Sequence, residues 1–170
     1  MLGGLTEHHL CGISRLLVGR DSGTVTAGEW RSAESDGRYQ AVVRWDGSRY
    51  EAWSAILQDN VDGFRPSVIT EDPTTVVRVL AYELSDAWRQ RHGFASFLLP
   101  IGKAEVPSDV SIDSSRPTTV TWRDADREMS ATLGNRNLVV AFSNFARCSI
   151  TEIATSIKSP DGSPLFSPWI

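Results

Sequence analysis

Between Asp72 and Gly93 the sequence carries a complete set of helix signals, and the rest of the chain must fold around them. Asp72 is a good N-cap acceptor, and Pro73 suits the first helical position because its missing N–H costs nothing there. Val76, Leu80, Leu84 and Trp88 recur every four residues, with Val77, Ala81 and Ala87 beside them. Arg89, Arg91 and His92 fall in the last turn, where cations meet the negative end of the dipole, and Gly93 is a natural stop.

The flanking sequence reads as strands. Tyr39, Ala41, Val43 and Trp45 alternate with Gln40, Val42 and Arg44, and Asp46-Gly47 supplies the positive φ angles of a tight hairpin turn. A two-residue turn there sets Val43 opposite Tyr50 and Ala41 opposite Ala52, with Arg44, Arg49 and Glu51 on the other face. Downstream, Phe97–Ile101 reads as a strand, and Thr118-Val120-Trp122 pairs through an Asp-rich turn with Met129-Ala131-Leu133. Leu138–Phe142 reads as a further, buried strand. Leu10, Ile13, Leu16 and Leu17 give a short N-terminal helical stripe, weakened by Gly12 and ended by Gly19 and Asp21-Ser22-Gly23.

A capping box, Ser149-Ile150-Thr151-Glu152, opens a C-terminal helix, with Cys148 and Ile153 at the hydrophobic-staple positions. Pro160–Pro164 breaks it, and Leu165, Phe166 and Trp169 are expected in extended conformation. This order predicts an α+β fold: a mostly antiparallel sheet built from hairpins, a long central helix, and short N- and C-terminal helices. The chain of 170 residues is read as one domain, residues 1–170. At that length folding buries roughly 70% of the exposed surface, so no disulfide or metal is needed for a core. Pro, Ser and Asp cluster at Ser108–Pro117, where any division would fall.

The net charge of −4 counts against a nucleic-acid partner. Apolar runs stop far short of the roughly 20 residues of a membrane span, and the first residues lack a basic and apolar leader pattern. Cys11 and Cys148 stand in no C-x-x-C and read as free thiols of a reducing compartment, so a cytoplasmic location is expected. Phosphate-loop, dinucleotide, serine-hydrolase and zinc-protease motifs are all missing. His8 and His9 are adjacent and lack the spacing that chelates one metal, and His92 suits a structural role at a helix end. Asp124, Asp126 and Glu128 alternate like a metal or acid cluster, but Arg123 and Arg127 interleave them, which favours a self-compensating turn. Neither cofactor, metal nor small-molecule substrate is expected. Trp45, Trp88 and Trp122 fit the apolar periodicities; Trp30, Trp53 and Trp169 do not, and are candidates for a contact surface.

Ser149-Ile150-Thr151-Glu152-Ile153, then Asp161-Gly162-Ser163-Pro164-Leu165-Phe166 and a nearby Trp169, resemble the C-terminus of the immunity factor of the tuberculosis necrotizing toxin and related polymorphic-toxin immunity proteins. Val76–Tyr82 is similar to the long central helix of such proteins, and the hairpin Arg38–Ile56 to part of their sheet. The resemblance implies a non-enzymatic antitoxin that binds one NAD-cleaving toxin domain and obstructs its NAD cleft. In it Gly162 is expected to take a positive φ, Pro164 to fix the turn, and Leu165 and Phe166 to pack on the sheet. Two other classes remain open: another protein-binding module, such as a secretion chaperone or adaptor, and a small hydrolase with a carboxylate site. An adjacent toxin gene separates the first two; turnover by the isolated chain marks the third.

A partner-binding face is expected in two acidic connections. Gln58–Asp72 holds Asp59, Asp62, Glu71 and Asp72 against Arg65 alone, with Phe64 as a potential aromatic anchor; Ala104–Ser115 holds Glu105, Asp109 and Asp113 with no base. Charge of this kind raises encounter rate more than affinity.

Overall fold

A computed structural model describes residue 12 and residues 23–26, 28–32, 40–55, 64–97 and 106–170. Its elements are β1 (Gly23–Thr26), β2 (Glu29–Ser32), β3 (Gln40–Trp45), β4 (Tyr50–Ala55), β5 (Val68–Thr70), α1 (Pro73–Arg91), β6 (Val110–Ile112), β7 (Thr119–Asp124), β8 (Arg127–Leu133), α2 (Arg136–Phe145) and α3 (Ile150–Lys158). The strands form one eight-stranded sheet in the order β1-β2-β3-β4-β5-β8-β7-β6, and every neighbouring pair is antiparallel. The fold is α+β, as the sequence implies. Of the N-terminal stripe only Gly12, which is helical, is described; the remainder of that expectation lies outside the described residues.

Period-two alternation sorts the strands into two faces. Trp30, Val43, Ala52, Val68 and Leu133 lie in register across five strands, and all are buried. Val76, Leu80 and Leu84 of α1 join them in one core that also takes in α2, α3 and the C-terminal aromatics. The helix begins as its signals predict: Asp72 accepts the Thr75 N–H at 2.8 Å, and Gly93 turns the chain away at φ 73°. Trp122 pairs with Met129 and Val120 with Ala131, as expected for that hairpin.

Four expectations need correction. Trp45 pairs with Tyr50 and Val43 with Ala52, so the first hairpin has a four-residue loop and its register is two residues off the tight-turn reading. The cause is Asp46, whose carboxylate accepts the N–H groups of both Ser48 and Arg49 at 2.9 Å and organises the loop around itself. Leu138–Phe142 is helical: Asn135 caps α2 by accepting the Leu138 N–H at 2.9 Å, and the apolar run continues at helical spacing to Phe145. The segment after α3 is not extended. Gly162 has φ 72°, Leu165 lies in a turn, and Ser167–Trp169 is a 3-10 helix. Phe166 is buried in the shared core, with ring centroids 5.9 Å from Tyr82 and Phe145 and 4.6 Å from Phe97. Phe97 itself is not in a strand; the rest of Phe97–Ile101 lies outside the described residues.

Arg89 ties this side together. Its guanidinium is fully buried and donates to the carbonyls of Ala95, Ile157, Ser159 and Pro160, joining the end of α1 to the end of α3.

Candidate partner-binding site

The chain regains the sheet before β5 at Phe64–Ser67, and hydrogen bonds from both sides hold it there. Trp53 Nε1 donates to the Phe64 carbonyl at 3.0 Å. The Ser67 N–H donates to Ala52 O, and the Gly134 N–H to Ser67 O, both at 2.8 Å. Gly134 comes so close that a Cβ there would stand 2.9 Å from Pro66 O. A connection is thereby fixed as firmly as a strand, and it presents Phe64 with 65% of its surface exposed.

Beside this segment lies an open groove of about 550 Å³, lined by Trp53, Ser54, Phe64, Arg65, Pro66, Ser67, Glu83, Gly134 and Asn135. Glu83 comes from α1. The Ser54 hydroxyl donates to Glu83 Oε2, and a second hydroxyl is supplied by Ser67. Burial pushes the Glu83 carboxyl above its usual range, and the two hydroxyls pull the other way. A neighbouring depression shares Ser54 and Glu83 and adds Tyr82, Ser85, Asp86, Ser96 and Phe97. Asp86 Oδ2 accepts from Gln90 Nε2 at 2.9 Å, while Asp86 Oδ1 is buried without a hydrogen-bond partner. Burial, with the charges of Glu83 and Asp86, drives the Tyr82 hydroxyl pKa upward.

Of the residues expected to meet a partner, Trp53, Phe64 and Arg65 line this groove, and Arg65 Nη2 reaches the Thr118 hydroxyl at 3.5 Å. Asp113 follows β6 at the same end of the sheet, where its N–H donates to Thr119 O. Its carboxylate accepts from Ser115 N–H and Oγ, which holds its pKa below the usual range. Asp109 precedes β6, at the opposite end, and is ion-paired with Arg147. Of the described acidic members of the Ala104–Ser115 connection, Asp113 therefore lies at the groove end of the sheet and Asp109 at the other. Asp59, Asp62 and Glu105 lie outside the described residues. Trp30, Trp53 and Trp169 are buried, so the expectation that they offer an exposed surface is corrected. Trp30 sits on the core face of β2; Trp53 lies on the other sheet face with Val42, under the Arg44 guanidinium at 5.2 Å.

Asp124 faces Arg78 at 3.6 Å rather than a neighbouring arginine, and among the described residues no group of three or more His, Cys, Asp or Glu is placed to hold a metal ion. No described helix is long and apolar enough to cross a membrane. Sequence reading missed Ser54, Ser67, Glu83 and Asn135. For Glu83 a signal existed: it occupies the i+7 place of the stripe that starts at Val76, where an aliphatic side chain is the norm.

The solved structure of Rv3902c from M. tuberculosis has the same fold, with a TM-score of 0.66 over 98% of this chain and 97% of that one, at 15% identity. No curated protein matches the chain. Residues 18–165 match the family described as Immunity protein 61. That match runs from before β1 into the turn beyond α3, and the chain accordingly belongs to the Immunity protein 61 family.

Proposed function

We propose that this protein is a non-enzymatic antitoxin of the cytoplasm, binding one cognate NAD-cleaving toxin domain per chain and obstructing its NAD cleft. Membership of an immunity-protein family is the observation that carries the reading. The NAD-cleaving partner is supported by the resemblance of the capping box and the Asp161–Phe166 turn to the immunity factor of the tuberculosis necrotizing toxin. Gly162, as that resemblance implies, has a positive φ.

The groove end of the sheet suits inhibition by binding. An exposed aromatic on a pinned backbone loses little freedom on association, so more of its contact energy survives as affinity. Acidic side chains such as Asp113 at the same end contribute to encounter rate.

Co-expression with a candidate NAD-cleaving toxin domain is expected to restore growth and cellular NAD. The purified chain should stop NAD cleavage at one equivalent and keep doing so after exhaustive chelation. Undiminished NAD loss at excess protein would overturn the reading, as would inhibition that fails on chelation and returns with a specific ion.

A further inference from the structure

Glu83 receives hydrogen bonds only from uncharged hydroxyls, and no cation pairs with it among the described residues. Asp86, one helical turn on, opens onto the adjoining depression with a buried carboxylate oxygen that nothing satisfies. Both carboxylates line that depression, but only Glu83 also lines the groove, and Asp86 lies in the field of the Arg89 guanidinium. Arg65 does not neutralise them, since its guanidinium reaches out to Thr118. Trp53, Phe64 and Pro66 give the groove apolar lining beside the polar Ser54, Arg65 and Ser67.

Apolar lining beside a carboxylate that no cation pairs with among the described residues matches one kind of side chain, a long aliphatic stem ending in a cation. We infer that this groove receives a basic side chain of the toxin, arginine in preference to lysine, whose charged end pairs with Glu83 and whose stem is covered by Phe64. The preference for arginine follows from its five donors in a planar fork, which can serve both oxygens of the Glu83 carboxylate at once. The inference rests on the antitoxin reading and gives it a specific point of contact.

The test measures association and dissociation of the full chain and the toxin domain for wild type, Glu83→Gln, Asp86→Asn and Asp126→Asn, with thermal melting of each. Asp126 lies at the far hairpin tip and serves as the control. Glu83→Gln is expected to bind roughly tenfold to a hundredfold more weakly, mainly through faster dissociation, without a lower melting temperature. Asp86→Asn is expected to follow in the same direction, and Asp126→Asn to match wild type. Glu83→Arg should abolish binding, and one Arg→Glu change on the toxin should restore it. Wild-type binding with unchanged kinetics in both Glu83→Gln and Asp86→Asn would overturn the inference while leaving the antitoxin reading intact. Failure of the wild type to bind at all would overturn both.

Discussion

Glu83 occupies a place in α1 where Val76, Leu80 and Ala87 define an apolar stripe, and the fold carries a cost for it. Its pKa is raised from 4.5 by burial, so the unfolded chain ionises before the folded one as pH rises. Stability from this group is complete below 4.5 and is lost as pH climbs through the folded value. Glu83→Gln is therefore expected to melt higher than wild type at pH 7 and at the same temperature in acid; equal melting at pH 7 would show that ionisation there costs nothing. Arg89 is the converse case, a charge the core depends on. Arg89→Ala leaves the carbonyls of Ala95, Ile157, Ser159 and Pro160 without their donor, for an expected loss of about 3 kcal/mol in chemical denaturation. Arg89→Lys should recover only part of it, because three donors on a point charge cannot span four carbonyls.

At the scale of elements, the corner where Gly134 crosses Pro66 controls the shape of the groove. Gly134→Ala would place its Cβ 2.9 Å from a backbone oxygen that cannot swing aside, so Phe64–Ser67 must shift. Lower melting temperature together with faster dissociation from the toxin is expected; faster dissociation alone would mean that the backbone gives way without strain. Elements with chemical end signals were legible in the sequence: Asp72-Pro73 and Gly93 bound α1, and the capping box opens α3. Those defined by an apolar run alone were not. Leu138–Phe142 is short and continuous, a pattern shared by buried strands and helices, and only the Asn135 side chain decides between them. The first hairpin was placed correctly but slipped by two residues, because Asp46 collects two N–H groups at once; a shift of two preserves the buried face, so hydrophobic alternation could not reveal it. A third of the groove lining was legible, in Trp53, Phe64 and Arg65. Ser54, Ser67 and Glu83 were not, since they converge only through tertiary packing.

For the molecule as a whole, the single-domain reading predicts that limited proteolysis in the exposed stretch around Ser108–Pro117 yields no separately stable pieces; two such fragments would refute it. Phe64→Ala should speed dissociation of the toxin with little effect on association, whereas reversing Asp113 should slow association and flatten its salt dependence. Unchanged kinetics in both variants would move the interface away from this end of the sheet.

The position of β5 has a consequence for timing. Val68 and Leu133 pair in the middle of the sheet although about 65 residues separate them. Closing so long a loop is entropically expensive and slow compared with forming the local hairpins on either side. During synthesis β1 to β5 and α1 leave the ribosome first, but β5 waits for β8 as its second neighbour. The groove straddles that seam, with Ser67 on one bank and Gly134 on the other. A nascent chain therefore has no groove until β8 and the Gly134-Asn135 corner have been made, and binding through it cannot precede them.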